Sequence, residues 1–332
     1  MSKMGYRKTK PTTKPGLDAV QKQQRLAWCL KHQDWTLEQW KDVIWSDETS
    51  VVLGVRRGGA RVWRKPSQVV QTRCIRPRWK SASEFMFWGC FSYDMKGPCH
   101  IWKPETKAEK DLAAAQLDRM NSAKESEAKA KWEEEQAYLR ATTTRRGRRA
   151  KWKFTKKRGA YVRDGKGGID WWRYIHTIVT PKMIPFARRC RMARPNTLVQ
   201  EDNAPSHAHK HTSQVYSVSG IMRLLWPGNS PDLNMIEVCW RWMKWKICKA
   251  KGGPPKTAVN AKKVWENTWK ELKQEKIQGW IERIMTHVKK VIECEGGNEY
   301  VEGRDKEVER ADEDGKVWVK KERNPRAGRK MK

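Results

Sequence analysis

LVQEDNAPSHAHKH, residues 198–211, decides how this chain is read. Leu198 and Val199 open an apolar run that leads directly into two acids, Glu201 and Asp202. The chain then turns through Asn203, Ala204 and Pro205, and histidines follow at 207, 209 and 211. The run has the length and pattern of a strand, and on a strand Asp202 shares a face with Leu198 and Gln200. In α/β folds functional groups gather where strands end. Two more acids stand in comparable places. Asp47 follows VIWS (43–46), on the face of Val43 and Trp45. Glu237 lies in SPDLNMIEVCWRWMKWKIC (230–248), a helix pattern with Ser230 as N-cap and Pro231 as first helical residue. That start puts Glu237 in the second turn, beside a buried stripe of Leu233, Ile236, Trp240, Met243 and Ile247.

Outward from these points the pattern alternates strands and helices. VIWSDE and SVVLG read as two strands with a turn between them, and RVWRK as a short third. EFMFWGCFS and GPCHIW pair around the turn signal YDMKG. Thr36 and Gln39 form a capping box for TLEQWKD. GIDWWRYIHTIVTPKMIPFARRC is a helix interrupted near Pro181 and Pro185, TSQVYSVSG a short helix, and IMRLLWP a strand stopped by Pro227. The chain divides into a disordered basic N-terminus (1–16), linker helices (17–41), a core in two parts (42–103 and 169–250) around an insertion (104–168), C-terminal helices (251–295) and a charged tail (296–332). The fold class is α/β: a mixed sheet flanked by helices, with a largely helical, basic insertion.

Lys and Arg number 71 against 38 Asp and Glu, a formal net charge of +33 on 332 residues. Such an excess points to a polyanionic partner, with nucleic acid as the default. The charge peaks in RRGRRAKWKFTKKR, where Arg145, Arg146, Arg148, Arg149, Lys151, Lys156, Lys157 and Arg158 are candidate contacts to a DNA backbone. The same run fits a nuclear import signal. No apolar stretch is long enough to span a bilayer, so a membrane is not an expected partner. The eight cysteines show no C-x-x-C spacing and read as free thiols. Many of the twenty tryptophans sit beside Lys or Arg. They read mainly as core, with stacking on nucleobases as the alternative.

Carboxylates held at the rim of an apolar core are costly unless paired or bound to a cation. Three that converge make a set of hard oxygen ligands suited to Mg²⁺. Two such ions support in-line phosphoryl displacement. Each acid has a close rival (Glu48, Glu201, Asp232), and acids at strand ends also serve as caps and salt-bridge partners.

Taken together, WSDET (45–49), EDNAPSHAHKH (201–211) and WPGNSPDLNMIEVCWRWMK (226–244) resemble the Tc/mariner superfamily of cut-and-paste transposases. The 34 residues between Asp202 and Glu237 (203–236) match that family's branch with two Asp and one Glu. DWTLEQWKDVIWSDET resembles the approach to its first catalytic strand, and FMFWGCFSYDMKGPCHIW the strands that follow. The resemblance runs over residues 17 to 250, and the insertion resembles that of fungal members. It departs at Met235, where the family usually has Pro, and at Gly228–Asn229.

The resemblance implies a ribonuclease-H-like fold and a catalytic triad of Asp47, Asp202 and Glu237 holding two Mg²⁺ or Mn²⁺ ions. Asn203 and His207 would stand behind the ligands or touch DNA. It also implies DNA as partner, a possible homodimer in a transposition complex, and a nuclear location. Relatives carry helix-turn-helix domains ahead of this region, whereas here only residues 1–16 precede the first helix pattern. The expected function is a DDE transposase/integrase catalytic domain that hydrolyses DNA phosphodiesters and transfers strands. An inactive DNA-binding remnant and a structure-directed nuclease on the same fold are the alternatives. Zinc is a further reading of the three histidines, although in a helix only His207 and His211 would share a face.

Overall fold

The longest strand, β1 (Val43–Val51), runs through the centre of a five-stranded sheet. The other strands are β2 (Phe85–Phe91), β3 (Lys96–Ile101), β4 (Leu198–Gln200) and β5 (Met222–Leu224), in the order β3-β2-β1-β4-β5. The first three form an antiparallel meander, while β4 and β5 run parallel to β1 and to each other. The computed structural model describes residues 7–9, 12–52, 62–65, 75–77, 85–143, 151–163, 168–250, 253–300, 310–311 and 317–318.

Alternation along β1 sends successive side chains to opposite faces, and each face has its own core. On one face Trp45, Phe87 and Phe91 pack against α6 (Met235–Lys249), α7 (Ala258–Lys270) and α8 (Gln274–Ile281) through Ile236, Trp240, Met243, Trp269 and Ile277. On the other face Ile44, Trp88, Cys90 and Val199 pack against Tyr174, Ile178, Phe186 and Tyr216. Most described tryptophans are core, as their size favours. Burying a ring of 150–250 Å² is worth roughly 4–6 kcal/mol as an upper bound.

Tyr174 to Phe186 belong to α4, a continuous helical run of Trp171–Tyr174, a π-helical stretch Ile175–Met183, and Ile184–Ala193. The break expected near Pro181 does not occur. The wider π register, with Ile184 N–H bonded to the Val179 carbonyl, carries the helix past a proline that has no N–H to give. Tyr216 lies on α5 (Lys210–Val218).

The expected turn within Asp47–Ser50 is also absent, and β1 is one strand. Its ladder to Phe85–Phe91 is unbroken, and a central strand keeps its pairing whatever its local propensity. Near the chain start, α1 (Ala19–His32) and α2 (Leu37–Lys41) carry capping boxes from Asp18/Gln21 and from Thr36/Gln39.

The disorder expected for residues 1–16 does not hold at Arg7–Thr9 and Thr12–Lys14, which pair with Val62–Arg64 and Ile75–Pro77. Lys14 is buried and donates to the Tyr300 carbonyl, and Asn298 donates to that of Pro15. The first residues of the charged tail thus close over the N-terminal segment, after a third C-terminal helix, α9 (Ile284–Glu293).

The insertion is led by α3 (Lys107–Thr142), opened by a Thr106/Glu109 capping box. Only Ala113 and Leu117 of it are buried, against Trp171, Trp172 and Ile175. Residues 151–163 return along it. Trp152 donates to Glu125 at 3.0 Å, and Asn121 and Tyr161 exchange two hydrogen bonds. The helix itself holds seven basic and eight acidic residues. The helical and the basic parts of the insertion are therefore different segments. Among the described residues no helix is long and apolar enough to cross a membrane.

Candidate active site

Parallel pairing of β4 with β1 places Gln200 opposite Trp45. Two residues further along each chain come Asp47, in the middle of β1, and Asp202, just past the carboxyl end of β4. Asp47 Oδ1 accepts the Glu48 N–H at 2.7 Å. Its Oδ2 meets the Asn234 side-chain amide at 3.4 Å, and the same amide donates to the Ser46 carbonyl.

Asn234 is also the N-cap of α6, its oxygen accepting the Ile236 N–H. One side chain therefore fastens the start of the Glu237 helix to the strand of Asp47. The expected N-cap, Ser230, instead bonds the Gly228 carbonyl. Residues 230–234 make a turn before the helix, which starts at Met235 and leaves Glu237 in the first turn. There a carboxylate meets the positive end of the helix dipole.

Asp47 feels the charge of its neighbouring acids. Burial first, then the charges of Glu237, Asp202 and Glu48, push the Asp47 carboxyl well above the ordinary carboxylate range. At Asp202 burial works upward too, but His207 and the Ala204 N–H outweigh it and hold that carboxyl low. Asp202 Oδ1 takes both donors, His207 Nδ1 at 2.6 Å and Ala204 N–H at 2.9 Å. Burial alone would depress the His207 imidazolium. The Glu48 charge, with the hydrogen bond to Asp202, raises it well above the ordinary histidine value.

A folded-state value raised for Asp47 has a definite sign. The folded chain keeps a proton that the unfolded chain has lost, so stability falls as pH rises from the unfolded carboxylate value toward the folded one. Asp47→Asn removes that loss. Without divalent cations it should be the more stable protein at neutral pH, by about 1.4 kcal/mol per pH unit of that window. Urea unfolding at pH 4 and pH 7 checks this. Equal stabilities of parent and variant at pH 7 would show that Asp47 carries no such repulsion.

The rival acids separate cleanly. Glu201 is buried on the opposite side, accepting the hydroxyls of Tyr174 and Tyr216 and facing Arg223. Asp232 is buried in a two-bond pair with Arg25. Glu48 points to the face away from Asp47, with Oε2 at 3.7 Å from His207 Nε2. Of the two expected supporting residues, His207 reaches Asp202, whereas Asn203 is turned to the Trp226 carbonyl. Asn234 and Glu48 are supports that the sequence reading missed. Asn directly before a helix run is a cap signal, but its bond to Asp47 has no local signature.

The histidines do not gather for zinc, since His209 stacks on Trp171 and His211 lies against Tyr161. Lys151, Lys156 and Lys157 are exposed, and Arg158 lies over the rings of Trp132 and Trp152. Arg145, Arg146, Arg148 and Arg149 lie outside the described residues.

A hard divalent cation fits this donor set. Asp47, Asp202 and Glu237 offer carboxylate oxygens, and the charge that disfavours ionised Asp47 is the charge such a cation neutralises. The mouth is open, with Asp202 half exposed at 48% of its side chain. Among the described residues no three His, Cys, Asp or Glu side chains stand close enough together to hold a metal ion as they are placed.

Residues 172–252, which span Asp202 and Glu237, match the DDE superfamily endonuclease family. Over 298 residues the chain is 24% identical to the Tc1 transposase of Caenorhabditis elegans, covering 89% of this chain and 84% of that protein. It is 23% identical to the Tcb1 transposase of Caenorhabditis briggsae over 296 residues, 88% of this chain and 82% of that one. In fold it is similar to the Mos1 strand transfer complex (TM-score 0.52, 13% identity, 89% of this chain and 68% of that one). It is likewise similar to the Mos1 mariner paired end complex with Mn (TM-score 0.51, 12% identity, 88% and 67%). The chain is thus similar to Tc1/mariner transposases over most of its length, and it matches the DDE endonuclease family over the segment that carries Asp202 and Glu237.

Proposed function

We propose that this chain is the catalytic domain of a metal-dependent DNA transposase. It hydrolyses phosphodiesters at element ends and joins the freed 3′-hydroxyl to target DNA. The observation that carries this reading is the placement of the acids: Asp47 on β1, Asp202 just past the end of the parallel strand β4, and Glu237 in the first turn of the helix that Asn234 fastens to β1. Asp47, Asp202 and Glu237 would hold two Mg²⁺ or Mn²⁺ ions, which supply Lewis-acid polarisation and neutralise charge on the transferring phosphoryl group. The protein's own part is orientation. The Glu48 N–H and Asn234 fix Asp47, His207 and the Ala204 N–H fix Asp202, and the capped first turn of α6 presents Glu237. Lys244 holds α6 to β1 through a 2.7 Å bond to Thr49. The test is strand transfer by a pre-processed element end with Mg²⁺ or Mn²⁺, which bypasses end cleavage. No joined product with a protein that binds the DNA would favour a binding remnant instead. A DNA-bound homodimer and a nuclear location accompany this proposal.

The insertion and the basic run would hold the DNA backbone. Phosphate contacts make affinity fall with salt and vary little with sequence. Neutralising Arg145, Arg146, Arg148 and Arg149 should flatten the plot of log affinity against log salt by roughly 0.9 for each phosphate left without its cationic partner. Fluorescence anisotropy on random-sequence duplex between low and moderate salt measures the slope. An unchanged slope removes the run from the interface.

A further inference from the structure

The faces of β1 are chemically divided at two consecutive residues. Asp47 points toward α6 and the acids, and Glu48 toward the core that holds Tyr174. His207 joins the two sides. It is 3% exposed, packed 4.2 Å from the Tyr174 ring, and held by its carbonyl to Arg223 at 2.9 Å. Nδ1 lies 2.6 Å from Asp202 Oδ1 and Nε2 lies 3.7 Å from Glu48 Oε2. Both donors to Asp202 converge on Oδ1, one from its own turn and one from His207, while no described donor meets Oδ2. The second Glu48 oxygen, Oε1, is buried with no hydrogen-bond partner. A packing role alone would not place a carboxylate there at the cost of a bare buried oxygen.

We propose that His207, anchored by Glu48, is the positioning residue that fixes the orientation of Asp202 and turns its Oδ2 toward a divalent cation. The inference rests on the reading of Asp202 as a cation ligand. The bond from Ala204 comes from the same turn as Asp202, whereas Glu48 belongs to the central strand that also carries Asp47. The imidazole therefore sets Asp202 against a reference rigidly linked to its fellow ligand. Partners that orient a ligand from behind typically govern metal affinity by 10–100-fold.

The two ring nitrogens can be tested separately. An asparagine amide nitrogen occupies the place of Nδ1, and a glutamine amide nitrogen that of Nε2. His207→Asn keeps the donor to Asp202, and His207→Gln keeps only the contact toward Glu48. Mn²⁺ binding to each protein without DNA, followed by calorimetry, is the readout, with thermal melting alongside. The expected result is near-parent affinity for His207→Asn and a roughly 10–100-fold loss for His207→Gln. Glu48→Gln, which keeps shape and loses charge, should fall between them. Equal Mn²⁺ affinity across the series, with melting temperatures lowered alike, would reduce His207 to packing and overturn the proposal. A parent that fails to bind Mn²⁺ would bring down the metal reading itself, a different outcome from a flat series.

Discussion

Asp202→Asn should lose strand transfer by roughly a thousand-fold or more while DNA binding holds or tightens. The substitution keeps the shape and the acceptor for His207, so the fold is not the target. It removes one unit of negative charge from a cluster whose purpose in the proposed mechanism is to hold cations. Charge stabilisation of several kcal/mol at the transition state corresponds to that loss, at 1.36 kcal/mol per factor of ten. Binding is spared because a negative charge near the phosphate disappears. Asp47→Asn and Glu237→Gln should behave alike. Any two together should be little worse than one, because the ligands act as a unit. Strand transfer of pre-processed ends with Mn²⁺, measured beside anisotropy, decides the matter; an active Asp202→Asn protein would refute the metal mechanism. Glu201→Gln and Asp232→Asn leave the cluster untouched and should show their effect in stability instead.

The second large effect lies away from the chemistry. Arg25 is fully buried, and its guanidinium makes two bonds to Asp232, at 2.7 and 2.6 Å. It also donates to the carbonyls of Gly296 and Gly297, and the Tyr300 hydroxyl donates to Asp232. Breaking such a pair by removing one partner strands a buried charge, at a cost of about 3–5 kcal/mol. Arg25→Ala and Asp232→Ala should each lose that much in urea unfolding. Arg25→Lys should be nearly as damaging, since an ammonium cannot make the paired contact. Burial pushes the Asp232 carboxyl up, but Arg25 and Tyr300 hold it below its ordinary value. Its stabilisation is therefore present above the unfolded carboxylate value and lost as pH falls through the folded one. The acid-unfolding midpoint should rise in Asp232→Asn. A loss under about 1 kcal/mol in both alanine variants would show that the pair is not a clasp.

The sheet was legible because alternation and apolar runs are local signals. VIWSDE, EFMFWGCFS, GPCHIW, LVQED and IMRLLWP all contain strands of the sheet. The choice of Asp202 over Glu201 came from resemblance and not from local chemistry. What separates them physically is that Tyr174 and Tyr216, 27 and 15 residues away, claim Glu201. Asp232 likewise became structural through Arg25, 207 residues distant. Ser230 before Pro231 is a good local cap signal, yet tertiary contacts won. Asp232 is drawn to Arg25 and Asn234 to the strand of Asp47, which delays the helix to Met235. The turn expected in β1 failed for the same reason, because a central strand answers to its neighbours before its own composition.

The Arg25 clasp also bears on how the protein is made. The guanidinium on α1 leaves the ribosome 271 and 272 residues ahead of two of the carbonyls it needs, those of Gly296 and Gly297. Gly296 sits at φ +82, and a Cβ there would strike the Lys22 carbonyl oxygen at 1.9 Å, so the closing strap accepts no other residue at that point. The loop leading to Glu237 is thus locked only after residues 296 and 297 have been made. A message interrupted by a stop codon between Glu237 and Gly296 would yield a chain whose acids are all present but whose scaffold cannot close, one that cellular proteases would meet in the open state.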